Sequence, residues 1–184
     1  MLPALTRVLP RGGDRGRFRI GTSMDQASSR GPTVVDRGFQ FAYVCAYQLM
    51  RTYWKLSRPN THGTLVTMWN AGEVLLVRNS YVNYYSAPGG YVRGGESSRD
   101  AALRELREEI GYTASADQLE PVYDDTRDWE GKKDHVEIFA IEVAERPTIQ
   151  VDNREVVEAA WFSKERALAL NLFPPLREVI AARR

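Results

Sequence analysis

Residues 90–112 read GYVRGGESSRDAALRELREEIGY, and the spacing of the glycines, the arginine and the glutamates in this stretch decides the fold. Gly90 is followed by five residues and then by Glu96, and an arginine–glutamate pair comes after seven more. Ser97 and Ser98 are N-cap candidates after the glycine-rich turn. Good helix formers then run to Gly111, which ends the helix. The stretch therefore predicts a glycine-rich loop followed by a helix.

This predicted helix separates apolar from acidic side chains. Its apolar stripe consists of Leu103, Leu106 and Ile110. Glu105, Glu108 and Glu109 are spaced i, i+3 and i+4, so they share another face. Three close carboxylates repel each other unless a cation lies among them, and oxygen ligands favour Mg²⁺ or Mn²⁺. The alternative is a solvated acidic face, in which Arg104 and Arg107 form weak surface ion pairs.

The pattern resembles the Nudix box, G-x5-E-x7-R-E-U-x-E-E-x-G-U, in which U is a bulky apolar residue. All its glycine, arginine and glutamate positions are matched, and Tyr112 stands where an aliphatic residue is usual. The preceding Ala87-Pro88-Gly89-Gly90 resembles the L-P-G-G entry of that family, with Ala87 replacing the leucine. The resemblance covers roughly residues 60–180. It implies a Mg²⁺-dependent enzyme, with Mn²⁺ as an alternative, that hydrolyses a nucleoside diphosphate linked to another moiety.

The resemblance also implies roles for single residues. The catalytic and metal-facing glutamates would be Glu105, Glu108 and Glu109, with the carbonyl of Gly89 as a further metal ligand. Glu96 and Arg104 match positions that brace the loop and the helix through a charge pair. Together with Gly90 and Gly111 they would support the site.

The general base is left open by the sequence. In some Nudix enzymes it is a glutamate of the box, which would be Glu105, and in others it is an acid on a later loop or strand. Glu155 and Glu158 lie in NREVVEAAWF, where many members carry such an acid, and Glu142 is a further candidate. We include Glu155 among the predicted catalytic residues.

Substrate contacts are predicted for Tyr85, Trp129 and Arg177. Tyr85 belongs to a tyrosine-rich segment before the box that could stack a base, although tyrosines in a strand core are the alternative. Trp129 lies where dinucleoside-polyphosphate hydrolases tend to have a tyrosine. The segment 173–175, FPP, resembles the end of MutT-type enzymes, but Arg177 stands in place of the asparagine that helps to recognise an oxidised guanine there. House-cleaning of oxidised dGTP is therefore not supported.

The order of elements predicts an α/β (α+β) fold, a Nudix-type α/β/α sandwich with a mixed β-sheet and an additional N-terminal amphipathic helix. Strands are expected at residues 61–69, 73–78, 119–125, 134–143 and 157–162. A helix is expected to start near Ser163, and Pro174 is expected to open the last one. The same order is found in Nudix proteins.

The chain is expected to divide into a basic leader at residues 1–37, an amphipathic helix at 38–58 and a Nudix domain at 59–184. Residues 1–60 carry a net charge of +7, whereas residues 61–184 carry −6. The leader is rich in Arg, Gly, Pro and Ser, so we expect it to be disordered, and Met24 is an alternative start. Its first apolar run is too short for a secretory signal, and glycine and proline interrupt an organelle-targeting helix.

The helix at residues 38–57 has three alternative roles. Its predicted apolar face comprises Phe39, Ala42, Tyr43, Ala46, Leu49, Met50, Tyr53 and Leu56, and Gln40, Gln48, Arg51 and Lys55 line the other. Packing on the catalytic domain is the simplest role. Docking on a membrane surface and contact within a homodimer are the alternatives. Arg51 and Lys55 interrupt the segment before it reaches bilayer-spanning length.

The composition limits which disulfides, metal sites and nucleic-acid partners are expected. The single cysteine, Cys45, excludes an internal disulfide framework, favours a cytoplasmic protein and is expected to be buried. With only His62 and His135, a His/Cys zinc site is not expected. Lys132 and Lys133 are a short basic run of the kind that is usually solvated, so a nucleic-acid partner is not expected. A nucleotide sensor without hydrolytic activity and a membrane-docked hydrolase remain the alternative functions.

Overall fold

A computed structural model describes residues 31–183, so residues 1–30 of the predicted leader, including Met24, lie outside the described residues. The helices are α1 (Val34–Ser57), α2 (Ser98–Ile110), α3 (Lys164–Ala169) and α4 (Pro174–Ala182). The strands are β1 (Asn60–Asn70), β2 (Glu73–Asn79), β3 (Gly89–Tyr91), β4 (Glu120–Trp129), β5 (Lys132–Glu142) and β6 (Val156–Ser163).

The six strands form one mixed sheet in the order β4-β5-β1-β2-β6, and β3 pairs with the first half of β1. β1 and β5 run parallel from the pair Asn60 and Lys133 to the pair Trp69 and Glu142. The remaining strand pairs are antiparallel. The predicted α/β fold with a mixed sheet is therefore confirmed.

Helices cover both faces of the sheet because successive side chains of β1 point to opposite sides. Val66 and Met68 pack on the face that α2 covers, together with Leu106 and Ile110. The neighbouring residues Leu65 and Trp69 belong to the second core, with Leu176 and Ile180 of α4. The molecule is thus an α/β/α sandwich, and α2 holds its acidic face at the edge of one layer.

The β4–β5 hairpin is longer than the sequence pattern predicts. Its strands pair as far as Trp129 and Lys132, and the turn between them places Glu130 and Gly131 at φ values of 52° and 90°. Apart from Trp129, the extra residues are polar, so no apolar alternation predicts them. The paired backbone and the left-handed turn extend the hairpin. This extension brings Trp129 and Lys132 towards the middle of the molecule.

Helix α1 begins at Val34, four residues before the predicted start at residue 38. A capping box causes the extension. The backbone N–H of Asp36 donates to Thr33 Oγ1 at 3.2 Å, and the backbone N–H of Thr33 donates to Asp36 Oδ2 at 2.9 Å. Residues 34–37 of the predicted leader are therefore helical.

The face of α1 that packs on the domain differs from the predicted apolar face. Gln40, Tyr43, Tyr47, Arg51 and Trp54 face the domain. Polar partners decide this, because the domain offers the Glu130 carboxylate to Tyr47 and Arg51 and the Asn153 carbonyl to Gln40. Amphipathic periodicity ranks side chains by hydropathy and does not register such partners.

Much of the predicted apolar face of α1 is exposed as a result. Leu49 is 73 % exposed and Leu56 83 % exposed. Cys45 is exposed too, so the expectation of a buried thiol is wrong. Among residues 31–183, no helix has the length and apolar character needed to cross a membrane.

Candidate active site

The site is built on α2, whose ends lie where the sequence predicts them. Ser97 caps the helix by accepting a hydrogen bond from the Asp100 N–H at 3.1 Å. Gly111 closes it with φ 72°, a left-handed conformation that favours glycine. Leu106 and Ile110 are fully buried, and Tyr112 packs partly buried beside them. The tyrosine therefore occupies an apolar position like the aliphatic residue it replaces.

Arg104 connects the loop before α2 to the helix. Its guanidinium donates to both carboxylate oxygens of Glu96, at 2.9 and 3.0 Å, and to the Tyr91 carbonyl at 3.0 Å. The bidentate pair lowers the pKa of Glu96 to about 2, chiefly through the hydrogen bonds from Arg104. Arg104 also bonds Glu105 and lies 3.4 Å from Glu108. The predicted bracing pair thus holds the loop against the acidic face of α2.

Gly89 and Gly90 allow that loop to approach the glutamates closely. The Gly89 N–H donates to Glu109 Oε2 at 2.8 Å. A Cβ on Gly90 would lie 2.6 Å from Glu105 Oε1, and a Cβ on Gly89 would lie 2.1 Å from the Thr64 carbonyl oxygen. Only glycine fits at either position without a shift of the backbone or of the Glu105 carboxylate.

The acidic face lies in an environment that penalises its negative charge. Burial raises the pKa of Glu109 well above 4.5; the Gly89 N–H opposes the rise, and the charges of Glu105, Glu155 and Asp152 add to it. Burial likewise raises the pKa of Glu105. Buried carboxylates that repel one another need a proton or a cation among them.

This donor set fits a hard divalent cation. Glu105 and Glu109 are partly buried, whereas the Glu108 side chain is 46 % exposed at the mouth of the site. All their donor atoms are oxygens, which Mg²⁺ and Mn²⁺ prefer. Glu105, Glu108 and Glu109 would hold the ion, and Gly89 lies against them through its contact with Glu109.

The structure distinguishes among the acids considered as general base. Glu155 accepts a hydrogen bond from the Tyr81 hydroxyl at 2.9 Å, and its charge acts on both Glu105 and Glu109. Glu158 is instead held by Arg78 at 3.0 Å and by a tyrosine hydroxyl, and Glu142 pairs with an arginine near the C-terminus. Of these later acids, Glu155 is the one whose charge reaches the acidic face.

Asp152 is a residue of the site that sequence reasoning missed. Its Oδ1 accepts hydrogen bonds from the N–H groups of Arg154 and Glu155, at 2.9 and 3.1 Å, and its charge acts on Glu109. The capping aspartate thus shapes the loop that presents Glu155. The sequence signal that could have identified Asp152 is its position three residues before Glu155.

A cavity of about 480 Å³ opens beside the carboxylates and is bordered by Gly89, Gly90 and Glu155. Eight aromatic side chains line it: Tyr43, Tyr47, Trp54, Tyr81, Tyr84, Tyr91, Trp129 and Phe173. Burial, followed by the charge of Glu130, raises the pKa of Tyr84 to about 12, so its phenol is neutral at physiological pH. The cavity thus places aromatic side chains next to the acidic site, together with the charged side chains of Glu130, Lys132 and Asp134.

Trp129, one of the predicted substrate contacts, lines this cavity, whereas Tyr85 and Arg177 do not. The Tyr85 hydroxyl donates to Glu158 at 2.8 Å. The Arg177 guanidinium donates to the carbonyls of Leu168 and Leu170, at 2.7 and 2.6 Å. Both side chains have internal hydrogen-bond partners and lie outside the lining of this cavity. Tyr84, the neighbour of Tyr85, points into the cavity instead.

A second group of ligand-type side chains lies on the face of the sheet that α2 covers. His62, His135 and Glu137 place one potential ligand atom each within 4.8 Å of the others. His62 Nε2 lies 2.8 Å from Glu137, His135 Nε2 lies 2.7 Å from Asp124, and the two rings stack at 4.3 Å. Both histidines thus have carboxylate partners, although the parallel pairing of β1 and β5 makes them neighbours that their sequence separation did not indicate.

Comparisons with known proteins agree with this geometry. The family model of the NUDIX domain matches residues 59–182. A Bacillus subtilis (strain 168) protein provisionally named 8-oxo-dGTP diphosphatase is 41 % identical over 64 residues, a match that covers 34 % of this chain and 43 % of that curated relative.

Two solved structures share the fold. The E. coli ORF135 protein is 27 % identical with a TM-score of 0.56, and the alignment covers 68 % of this chain and 89 % of the other. A MutT NUDIX hydrolase from Burkholderia pseudomallei is 18 % identical with a TM-score of 0.61, covering 68 % and 98 %. Residues 34–57, which form α1, precede the family match.

Proposed function

The chain belongs to the Nudix family, and from that premise we propose that it hydrolyses a phosphoanhydride bond in a nucleoside diphosphate linked to another moiety. One observation carries the proposal. The partly buried Glu109 is hydrogen-bonded to Gly89, and the charges of the Glu105, Glu155 and Asp152 carboxylates act on it. This cluster is costly in a folded protein unless a proton or a cation offsets its charge, and we propose a divalent cation in that role.

Bound among Glu105, Glu108 and Glu109, Mg²⁺ would neutralise phosphate charge and lower the pKa of a water. The protein contributes the positions of the groups around it. Arg104 holds the loop of residues 91–96 to α2, so the acidic face and the glycine loop keep one geometry. Glu155, oriented by Tyr81, is the group we propose to accept a proton from the attacking water.

Glu108→Gln tests the metal site. The amide keeps the size of the side chain and removes its charge, so we expect loss of Mg²⁺-dependent hydrolysis by about a hundredfold or more. Phosphate release is measured across nucleoside triphosphates, 8-oxo-dGTP, nucleotide sugars, dinucleoside polyphosphates and capped RNA, with EDTA as the metal-free reference. Glu120→Gln, at an exposed position of β4, is the matched control. Full activity of Glu108→Gln would reject the assignment of the metal site.

The substrate panel includes 8-oxo-dGTP because of the name of the Bacillus subtilis relative. The Arg177 guanidinium is occupied by two backbone carbonyls, so it leaves no free side chain at that place to recognise an oxidised base. We therefore expect no preference for 8-oxo-dGTP over dGTP. Nucleotide binding without hydrolysis by the wild-type protein would favour a sensor instead.

The same proposal includes a cytoplasmic location, which the single free cysteine supports because a reducing compartment keeps thiols free. Contact of the outer face of α1 with a membrane surface or with a second copy is a separate prediction, based on exposed residues such as Phe41, Leu49 and Leu56. Sedimentation with liposomes tests the first and light scattering tests the second, each with and without residues 1–57.

A further inference from the structure

Helix α1 lies outside the family domain, yet it forms one wall of the cavity beside the acidic site. Tyr43, Tyr47 and Trp54 lie on its inner face, and all three line the cavity together with Ala46. The opposite walls belong to the domain and include Tyr81 and other aromatic residues. The cavity therefore exists in this form only because α1 covers it.

Polar contacts attach α1 to the domain at two places along its length. Near its start, Gln40 donates to the Asn153 carbonyl at 2.7 Å and Asp36 pairs with Arg154 at 3.2 Å. Near its end, the Tyr47 hydroxyl donates to Glu130 at 2.5 Å and the same carboxylate pairs with Arg51 at 3.3 Å. The helix thus spans from the loop that carries Glu155 to the β4–β5 turn.

The walls are suited to a flat ring. Tyr47 lies 4.9 Å from Tyr81, centroid to centroid, and Tyr43 lies 6.1 Å from the same ring. Trp129 and Phe173, which also line the cavity, pack edge to face at 5.6 Å. The cavity is thus bordered by aromatic rings that contact one another, and such rings can stack a planar group.

The charges of the lining exclude a long polyphosphate. Its carboxylates are Glu130, Asp134 and Glu155, and its one ammonium group is that of Lys132. That ammonium is already paired, at 2.8 Å, with Asp134. Additional phosphates entering the cavity would meet a net negative surface with no free cation among its described residues.

We propose that α1 is the specificity wall of the substrate site, and that the cavity beneath it receives the nucleobase of a mononucleotide derivative. This inference rests on the proposed function, because the diphosphate must lie at Glu105, Glu108 and Glu109 for the base to enter the cavity at Gly89 and Gly90. Tyr43, Tyr47 and Trp54 are the specificity-determining residues that α1 supplies.

The test is a pair of alanine-to-tryptophan substitutions in α1 of the full chain. Ala46→Trp places an indole in the cavity, whereas Ala42→Trp lies one turn earlier on the helix and outside the lining. Both alanines are exposed, so the helix tolerates either substitution, and circular dichroism melts confirm folding. Binding of AMP, GMP, CMP and UMP is measured by calorimetry, and hydrolysis of the best substrate by phosphate release.

We expect Ala46→Trp to weaken binding of the preferred monophosphate and to raise KM by about tenfold or more, the range of a lost stacking contact. Ala42→Trp should match the wild type in both the binding of the monophosphate and the hydrolysis of the substrate. Unchanged binding by Ala46→Trp, or no binding of any monophosphate by the wild type, would overturn the inference. A third outcome separates the two proposals. If the wild type binds a monophosphate but hydrolyses no substrate, and Ala46→Trp loses that binding, the pocket is supported and the proposed reaction is rejected.

Discussion

Gly90 has no side chain because the Glu105 carboxylate occupies the space that a Cβ would need. A Cβ at this position would lie 2.6 Å from Glu105 Oε1 and 3.2 Å from Oε2. The residue that gives way first in a substituted chain is therefore a proposed metal ligand. The position of the Glu105 carboxylate therefore depends on the lack of a Cβ at residue 90.

Gly90→Ala should lower kcat by about a hundredfold, because a displacement of about 1 Å in a catalytic group has effects of that size. The measurement is steady-state hydrolysis, accompanied by a thermal melt. Gly94→Ala is the matched control, since a Cβ there meets nothing within 4 Å and its φ is not positive. Equal activities of the two variants would show that hydrolysis does not depend on the position of the Glu105 carboxylate.

At the scale of elements, the loop and α2 act as one unit because Arg104 joins them. The guanidinium is 10 % exposed and contacts Glu96, the Tyr91 carbonyl and Glu105. The ion pair between Arg104 and Glu96 stabilises the folded state only while both groups are ionised. The pKa of Glu96, lowered from 4.5 to about 2, places the titration of this pair in the acid range.

Glu96→Gln should therefore be less stable than the wild type at neutral pH, and the difference should shrink in acid. A carboxyl group whose pKa is lowered on folding contributes stability above its unfolded pKa and loses it as pH falls through the folded pKa. The difference in unfolding free energy should be full above about pH 5 and should decline between 4.5 and about 2. Urea unfolding at several pH values measures it, and a difference independent of pH would contradict the assignment.

At the scale of the whole molecule, three distant parts of the chain meet at the acidic face. Glu109 lies on α2, Gly89 lies on β3, and Glu155 follows the loop that leads into β6. Tyr81, from the segment after β2, holds Glu155. The catalytic arrangement thus depends on the sheet that places these elements side by side.

Glu155→Gln should lower kcat by about a hundredfold or more with little change in KM, because a general base acts in the chemical step and not in binding. The neighbouring Glu158→Gln is the control, since that carboxylate pairs with Arg78 on the other side of the strand. Both are compared by steady-state kinetics against the same nucleotide. A smaller effect of Glu155→Gln than of Glu158→Gln would leave Glu105 as the base to consider.

The sequence alone predicted what local spacing controls. The glycine-rich loop, both caps of α2 and the acidic face with Glu105, Glu108 and Glu109 follow from intervals of a few residues, because helix and strand periods are local properties. The mixed sheet was predicted from the order of the elements along the chain. Recognition of the family rested on the same intervals.

Only the tertiary structure decided which distant residues lie near the acidic face and its cavity, and which residues have partners elsewhere. It brought the charge of Asp152 close to Glu109, and it placed Tyr84 in the lining of the cavity and Tyr85 outside it. It also paired Arg177 with backbone carbonyls and turned Tyr47 of α1 towards Glu130. These choices depend on partners far away in the chain, and hydropathy patterns carry no information about such partners. The reaction class was therefore predictable from residues 90–112, whereas the shape of the substrate cavity was not.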